Sequence, residues 1–548
     1  MLAWGIALAV LLPLAALGAI AARGSGALWP HLINYVLPEA ARETALLLAG
    51  TGIIVVAVGT GTAWLVTAYR FPGRNALSWA LLLPLATPVY IVAYAYLDLL
   101  HPAGPLQSAL RDLLGLASPQ DLRLPEFRSL GGAILLFGFV LYPYVYLNVR
   151  TNFLLQSAEA LEAARILGSS GGRAFFQIAV PLARPAIAAG SALALMETLG
   201  DIGACEFLGI QSLTVSLYVT WATRGSVEGA AQIALAMLVP VAGLLLLTYR
   251  SRVGRISAAA TPRPLAARRL APLAGAAAAT ACAIPVLLGF AAPAVHLLLL
   301  AWARVSEHGV SPLLLSYAWN SARFAAAASV LAVAAGFTLA FCQRYARINM
   351  PVRIVQTGYA VPGTVVAVGL LGILSAADAA IGFLGIENLR GALLLASPFG
   401  LLLAYLARFL AIPTSAVEAG YAKLPPALDE AARIVGANAS AVARDIHWPL
   451  LRTTIGSAAL LVFIECVKEL PATLLLRPLN TETLATFLYG EASRGVYEDG
   501  AVAALAMIAL GVLPILLLSQ SGRPRRSAPP IAARVAGALP DRPLAARP

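Results

Sequence analysis

Four acidic residues stand at or beside the ends of two apolar stretches: Glu197 and Asp201 in the first, Glu465 and Glu469 in the second, with Lys468 beside the second pair. Carboxylates in or next to membrane-length apolar runs are costly, and by default they mark a function. The set is therefore a candidate lining for a substrate pathway through the membrane. The structural alternative is that Lys468 neutralises Glu465 or Glu469 and that Asp201 caps a loop. No other constellation offers chemistry. His31, His101, His296, His308 and His447 are scattered without ligand spacing. Cys205, Cys282, Cys342 and Cys466 form no CxxC pair and read as small apolar packing residues. There is no nucleophile elbow and no phosphate-binding GxxxxGK[ST] loop, so the chain itself is expected to bind no cofactor.

The two acidic pairs are 268 residues apart, and so is a longer signature. EAARILGSSGGRAFFQIAVP at 162–181 is answered by EAARIVGANASAVARDIHWP at 430–449. Glu162, Ala163, Ala164, Gly168 and Pro181 match Glu430, Ala431, Ala432, Gly436 and Pro449, and the match runs ungapped to Glu197 and Glu465. A repeat this long inside an apolar chain indicates a duplicated membrane protein. Each copy opens with strong helix formers. Gly168 and Gly436 then fit a helix C′ position. Ser169 or Ser170, and Asn438 or Ser440, are placed to cap a second short helix, and Pro181 and Pro449 mark the start of the next span. Glu162 with Arg165, and Glu430 with Arg433, stand at i,i+3 and can pair on one face. An ordinary interfacial helix has no need for the same Glu-Ala-Ala, Gly and Pro at identical spacing in both halves, so each copy reads as a docking loop.

The elements that must position these residues are membrane helices. Of the 548 residues, 60% are hydrophobic and 12% charged, with a mean hydropathy of +0.81; a soluble domain carries roughly 25% charged residues. Twelve apolar segments are long enough to span: 2–22, 44–69, 78–100, 130–149, 182–200 and 229–249, then 271–301, 321–343, 354–376, 391–412, 452–467 and 500–519. The first lacks a basic n-region and is long for a signal-peptide core, so it reads as a retained span. Basic residues fall on alternate connections, including 250–270 and the tail after 521, while 201–228 and 376–390 are mixed or acidic. The net charge of +12 therefore reports membrane orientation and not nucleic-acid binding, for which no basic face interleaved with aromatics exists. Both termini and both repeated loops are expected on the cytosolic side. Six spans per half make the duplication parallel. The expected organisation is a first repeat at 1–250 with its loop at 155–181, a basic linker at 251–270, a second repeat at 271–520 with its loop at 423–449, and a disordered basic tail at 521–548. Residues 101–129 form a small ordered lobe, and glycines in AGTGIIVVAVGTGTAW suit close helix packing.

The doubled signature resembles the EAA motif of permeases of binding-protein-dependent ABC importers. That resemblance implies an all-α integral membrane protein of about 12 transmembrane helices in two parallel six-helix repeats, the type I importer permease fold, in a bacterial inner membrane. It implies that each repeated loop is a coupling helix seated on a homodimeric cytosolic ATPase, which carries the ATP and Mg, and that a periplasmic substrate-binding protein delivers cargo. Two copies on one chain imply that this polypeptide supplies both halves of the pathway. ETLGDIGACEFLGIQSLTVSLYVTWATRG (197–225) and VKELPATLLLRP (467–478) are similar to the fused permeases of ferric-iron importers, the first departing from that pattern at Ile202 and Cys205. Thiamine and organophosphonate permeases share the double motif and stay open as alternatives. A gradient-driven secondary transporter also fits twelve spans, but it does not explain the duplicated polar loop, and few ionisable residues lie deep in the spans.

Overall fold

The computed structural model describes residues 1–116, 118, 120–155, 169–252, 267–383, 394–395 and 397–521. Glu162, Ala163, Ala164 and Gly168 of the first loop, most of the linker and nearly all of the tail lie outside the described residues. The first half contributes α1 (Leu2–Ala22), α2 (Gly26–Ala68), α3 (Arg74–Ala80), α4 (Val89–Leu99), α5 (Pro105–Leu114), α6 (Leu130–Leu155), α7 (Gly171–Gly200), α8 (Gly203–Phe207), α9 (Leu213–Ala222) and α10 (Val227–Arg252). The second half contributes α11 (Pro272–His308), α12 (Pro312–Ala346), α13 (Met350–Gly358), α14 (Gly363–Phe383), α15 (Pro398–Phe409) and α16 (Ala411–Tyr421). It continues with α17 (Ala427–Ile434), α18 (Ala439–Lys468), α19 (Pro471–Leu476), α20 (Leu484–Arg494) and α21 (Tyr497–Ser521). Among the described residues nine helices are long and apolar enough to cross a membrane, or eleven when each bent pair is one span. The segment expected at 500–519 falls on α21. The fold is an all-helical, multi-pass membrane protein.

The corrections to the expected spans have local causes. The third, 78–100, is not one helix: α3 and the 3₁₀ turn after it meet α4 at a 92° bend. Pro84 and Pro88 remove backbone donors there. The ninth is likewise broken before Pro362, between α13 and α14, and the tenth is α15 and α16 bent by 40°. The fifth and eleventh begin earlier than read. The short helix expected after each loop is the first turns of the span itself, joined to it through π segments at Phe175–Ala179 and Val442–His447. The two resulting helices, α7 and α18, are each 30 residues long.

The halves are interleaved. The first helix of each packs on the broken helix of the other: α1 lies on α13 and α14, and α11 lies on α3, α4 and α6. Gly369 and Gly289 allow this approach, since a side chain at either would overlap a backbone carbonyl of the partner helix, Pro13 or Phe139. Tyr96 donates to the Leu288 carbonyl at 2.6 Å, and Asp98 meets His296 at 2.7 Å, both across the two halves. Tyr69–Arg70 pairs in parallel with Arg268–Arg269, which ties the end of the linker to the end of α2. One continuous apolar core runs through both halves.

Within the first half, α2 and α6 form the closest pair. An added Cβ at Gly59 would stand 2.7 Å from Val145 Cβ and 2.9 Å from the Tyr142 carbonyl, and one at Gly50 would stand 2.6 Å from Ile134 Cδ1, whereas Gly61 faces open space. Gly59→Val is expected to cost about 1–3 kcal/mol of stability by overpacking, read as a lowered unfolding temperature in detergent. Gly61→Ala is the control and should leave that temperature unchanged.

Candidate functional site

The second repeated loop is held by charge. α17 follows α16 after a turn at Lys423–Pro426, and Gly436 ends it with φ +84°. That left-handed backbone suits glycine. Asn438, rather than Ser440, accepts from the Ala441 N–H at 2.9 Å and opens α18. Pro449 stands in the first turn after the π segment. The helix is pinned through Asp429. Arg344 at the end of α12 donates to its Oδ2 at 2.7 Å, and His447 Nε2 stands 2.6 Å from its Oδ1. Arg344 also donates to the Tyr421 carbonyl at 2.8 Å. The expected Glu430–Arg433 pair does not form, because Arg433 lies over the Tyr345 ring, 4.4 Å from its centroid. Ala432 faces inward, Glu430 and Ala431 are exposed, and Ile434 and Val435 are each 86% exposed. This leaves an uncovered apolar tip beside Glu430. In the first copy Ser170 caps the Arg173 N–H and Pro181 lies in the first turns of α7. Leu161 and Ala179 stand where the second copy has Asp429 and His447, so that copy cannot repeat the anchor.

At the opposite ends of α7 and α18 the acidic residues gather in one cavity between the halves. It is small, about 80 Å³, and Glu197, Asp201, Glu465, Lys468, Glu469 and Arg408 all line it. The two helices break alike. Asp201 accepts from the Ala204 N–H at 2.7 Å and Glu469 from the Ala472 N–H at 3.1 Å, each capping the short helix that follows. Lys468 pairs with Glu465 at 2.8 Å. Asp201 as a cap and Lys468 as a neutralising partner are thus the local roles these residues fill. Arg408, unread from the sequence, is the centre of the group. Its Nη1 reaches both Glu469 oxygens at 2.8 Å, and its Nη2 lies 3.9 Å from Glu197. Tyr359 donates to Glu197 at 3.0 Å. The signal was a lone arginine inside FGLLLAYLARFLAIP. Among the described residues no three acidic, His or Cys side chains converge as a metal site.

Residues 53–253 match the family described as binding-protein-dependent transport system inner membrane component. The chain is 30% identical to the molybdenum transport system permease protein ModB of Escherichia coli K12 over 204 residues, 35% of this chain and 84% of that protein. It is 30% identical to the sulfate transport system permease protein CysT of the same strain over 258 residues, 46% of this chain and 90% of that protein. It is 22% identical to the Fe(3+)-transport system permease protein FbpB 2 of Haemophilus influenzae over 493 residues, 88% of this chain and 90% of that protein.

Two consequences of the geometry can be measured. Burial alone would raise the Asp429 carboxyl, but the hydrogen bonds from His447 and Arg344 outweigh it and hold the group below its usual range. A depressed carboxylate contributes its full stability above the unfolded value, about 3.9, and loses it as pH falls through the lower folded value. Intrinsic-rate-corrected hydrogen exchange across 421–434 should therefore rise as pH falls below about 3.9, and Asp429→Asn should raise it at every pH above that. Exchange that stays unchanged as pH falls through that value would reject Asp429 as the group that sets the anchor. At the cavity, a Cβ at Gly363 would overlap Arg408 Nη1 and Glu469 Oε1. Gly363→Ala is expected to break this buried pair and lower thermal stability by about 1–3 kcal/mol, where the same change at the open Gly456 should not.

Proposed function

This chain belongs to the binding-protein-dependent transport system inner membrane components, and on that premise we propose that it is the fused permease of an ATP-driven importer of ferric iron. Membership in a binding-protein-dependent family also removes the reason to read it as a gradient-driven secondary transporter. The alignment that runs through both halves, 88% of this chain against an Fe(3+)-transport permease, carries the cargo assignment. Carboxylates outnumber cations in the cavity, with Glu197, Asp201, Glu465 and Glu469 against Arg408 and Lys468. That excess supports a cation over an oxyanion, because like charges in a weakly screened space repel. A second reading, import of molybdate or sulfate, is favoured by those two cations and by the 30% identical relatives.

In this reading a periplasmic binding protein delivers the ion on one side and a homodimeric ATPase binds the two repeated loops on the other. Glu162-Ala163-Ala164 and the exposed Glu430 and Ala431 meet grooves in the two ATPase subunits, Ala432 packs inward behind them, and Gly168, Gly436, Pro181 and Pro449 set the turn into α7 and α18. Each of these helices runs unbroken from its loop to the cavity, so a push on the loop moves the carboxylates at the far end. The chain makes no covalent change. Its work is alternating access: the pathway opens outward, takes the ion, and releases it inward when the ATPase dimer parts.

Uptake of radiolabelled ferric iron into proteoliposomes holding the chain and its ATPase tests this, with iron-loaded binding protein outside and ATP inside. Accumulation should require ATP and vanish in the Glu162→Gln/Glu430→Gln double variant while insertion and folding persist. Normal uptake by that variant would refute the coupling role. Molybdate or sulfate accumulation in place of iron would move the cargo to the second reading.

A further inference from the structure

The cavity group is asymmetric, and the asymmetry separates a strong contact from a weak one. Arg408 and Glu469 belong to the same half and share two hydrogen bonds of 2.8 Å. Glu197 comes from the other half, and Arg408 reaches it only at 3.9 Å, with Tyr359 adding one bond of 3.0 Å. Charge-assisted contacts fall off steeply beyond hydrogen-bond distance, so when the halves part the arginine stays with Glu469. The fourth span of the first half offers no second arginine: Val140 lines the cavity there. Arg408 Nε is buried without a partner among the described residues, so the guanidinium has bonding capacity left over. Beside this group the halves touch closely. A Cβ built at Gly200 would stand 3.7 Å from Pro362 Cβ.

Resting on the permease reading, we infer that the contact of Glu197 with Arg408 and Tyr359 is a latch between the halves, made when the pathway is shut at this level and broken when it opens. Opening leaves Arg408 neutralised by Glu469 and Lys468 neutralised by Glu465, and strips Glu197 of its partners. The pathway then presents Glu197 and Asp201, one turn apart at the end of α7, without a cation between them. A cationic cargo replaces Arg408 against Glu197 and holds the latch open until it leaves. An oxyanion meets repulsion at the same place. The latch thus ties the charge class of the cargo to the state of the gate.

The closeness of Gly200 and Pro362 supplies the test, because a Cβ separation of 3.7 Å lies in the range a disulfide spans. Cysteines are placed at Gly200 and Pro362 in a full-length chain whose Cys205, Cys282, Cys342 and Cys466 are replaced by alanine, reconstituted with its ATPase. The cross-link should form in the resting protein, cut binding-protein-stimulated hydrolysis and uptake by about tenfold or more, and release both on reduction. Failure to cross-link at rest, or equal transport by the cross-linked and reduced chains, overturns the latch while leaving the permease reading intact. A reduced chain with no ATP-dependent uptake of any cargo overturns both. Glu197→Gln is the second variant. It should raise hydrolysis in the absence of binding protein by about threefold or more, because the closed state has lost its counter-charge; basal hydrolysis at the unmodified rate overturns the latch.

Discussion

Arg408 places a permanent positive charge inside a membrane protein, and much of the surrounding structure exists to keep that charge paired. An arginine near the middle of a spanning helix costs roughly 2.5–3.5 kcal/mol even on the lenient insertion scale, and an unpaired buried ion costs several kcal/mol more. The break at the end of α18 puts Glu469 where both of its oxygens meet the guanidinium. The break before α14 leaves Gly363, whose missing side chain makes room for the pair. Irregular backbone at membrane depth is tolerated only where it is buried in protein or lines a cavity, and here it does both. The broken helices, the small residues at the breaks and the buried pair are one solution to one solvation problem.

The same economy appears in the second loop. α17 is short and its apolar tip is uncovered, so packing alone gives it little stability. Asp429 fixes it to α12 through Arg344 and to α18 through His447. One carboxylate thus joins the loop to two membrane helices, at the end of α18 opposite the cavity. In the first half, Trp64 packs against Phe153 and Phe175, with ring centroids 5.5 and 5.4 Å away, and this aromatic contact joins α2, α6 and the start of α7. The start of α18 is tied by charge and the start of α7 by rings, although the two segments repeat one signature.

That contrast explains what could be read from the residues and what could not. The repeat exposed Glu197, Asp201, Glu465 and Glu469 because each has a counterpart at the same offset. Gly436 and Asn438 were legible because their roles depend on backbone conformation a few residues away. Arg408 and Asp429 have Val140 and Leu161 opposite them in the first half, so comparing the copies passes over them. Tyr359 was invisible for another reason: its partner Glu197 is 162 residues distant, and nothing local marks it. The span at 78–100 was misread because hydropathy registers how apolar a stretch is and not whether its prolines let the helix continue.

The exchange of first helices has a consequence for how the molecule is made. α1 enters the membrane early, yet the surface it packs on, α13 and α14, is synthesised more than three hundred residues later. At typical elongation rates that is a delay on the order of tens of seconds. During it α1 faces lipid or an assembly factor with Gly369's partner surface, around Pro13, unmatched. The first half therefore cannot reach its final packing by itself, and the second half, arriving later, finds its own first helix α11 already provided with a seat. Assembly is ordered by the chain: the nascent protein is committed to finishing both halves before either one is sealed.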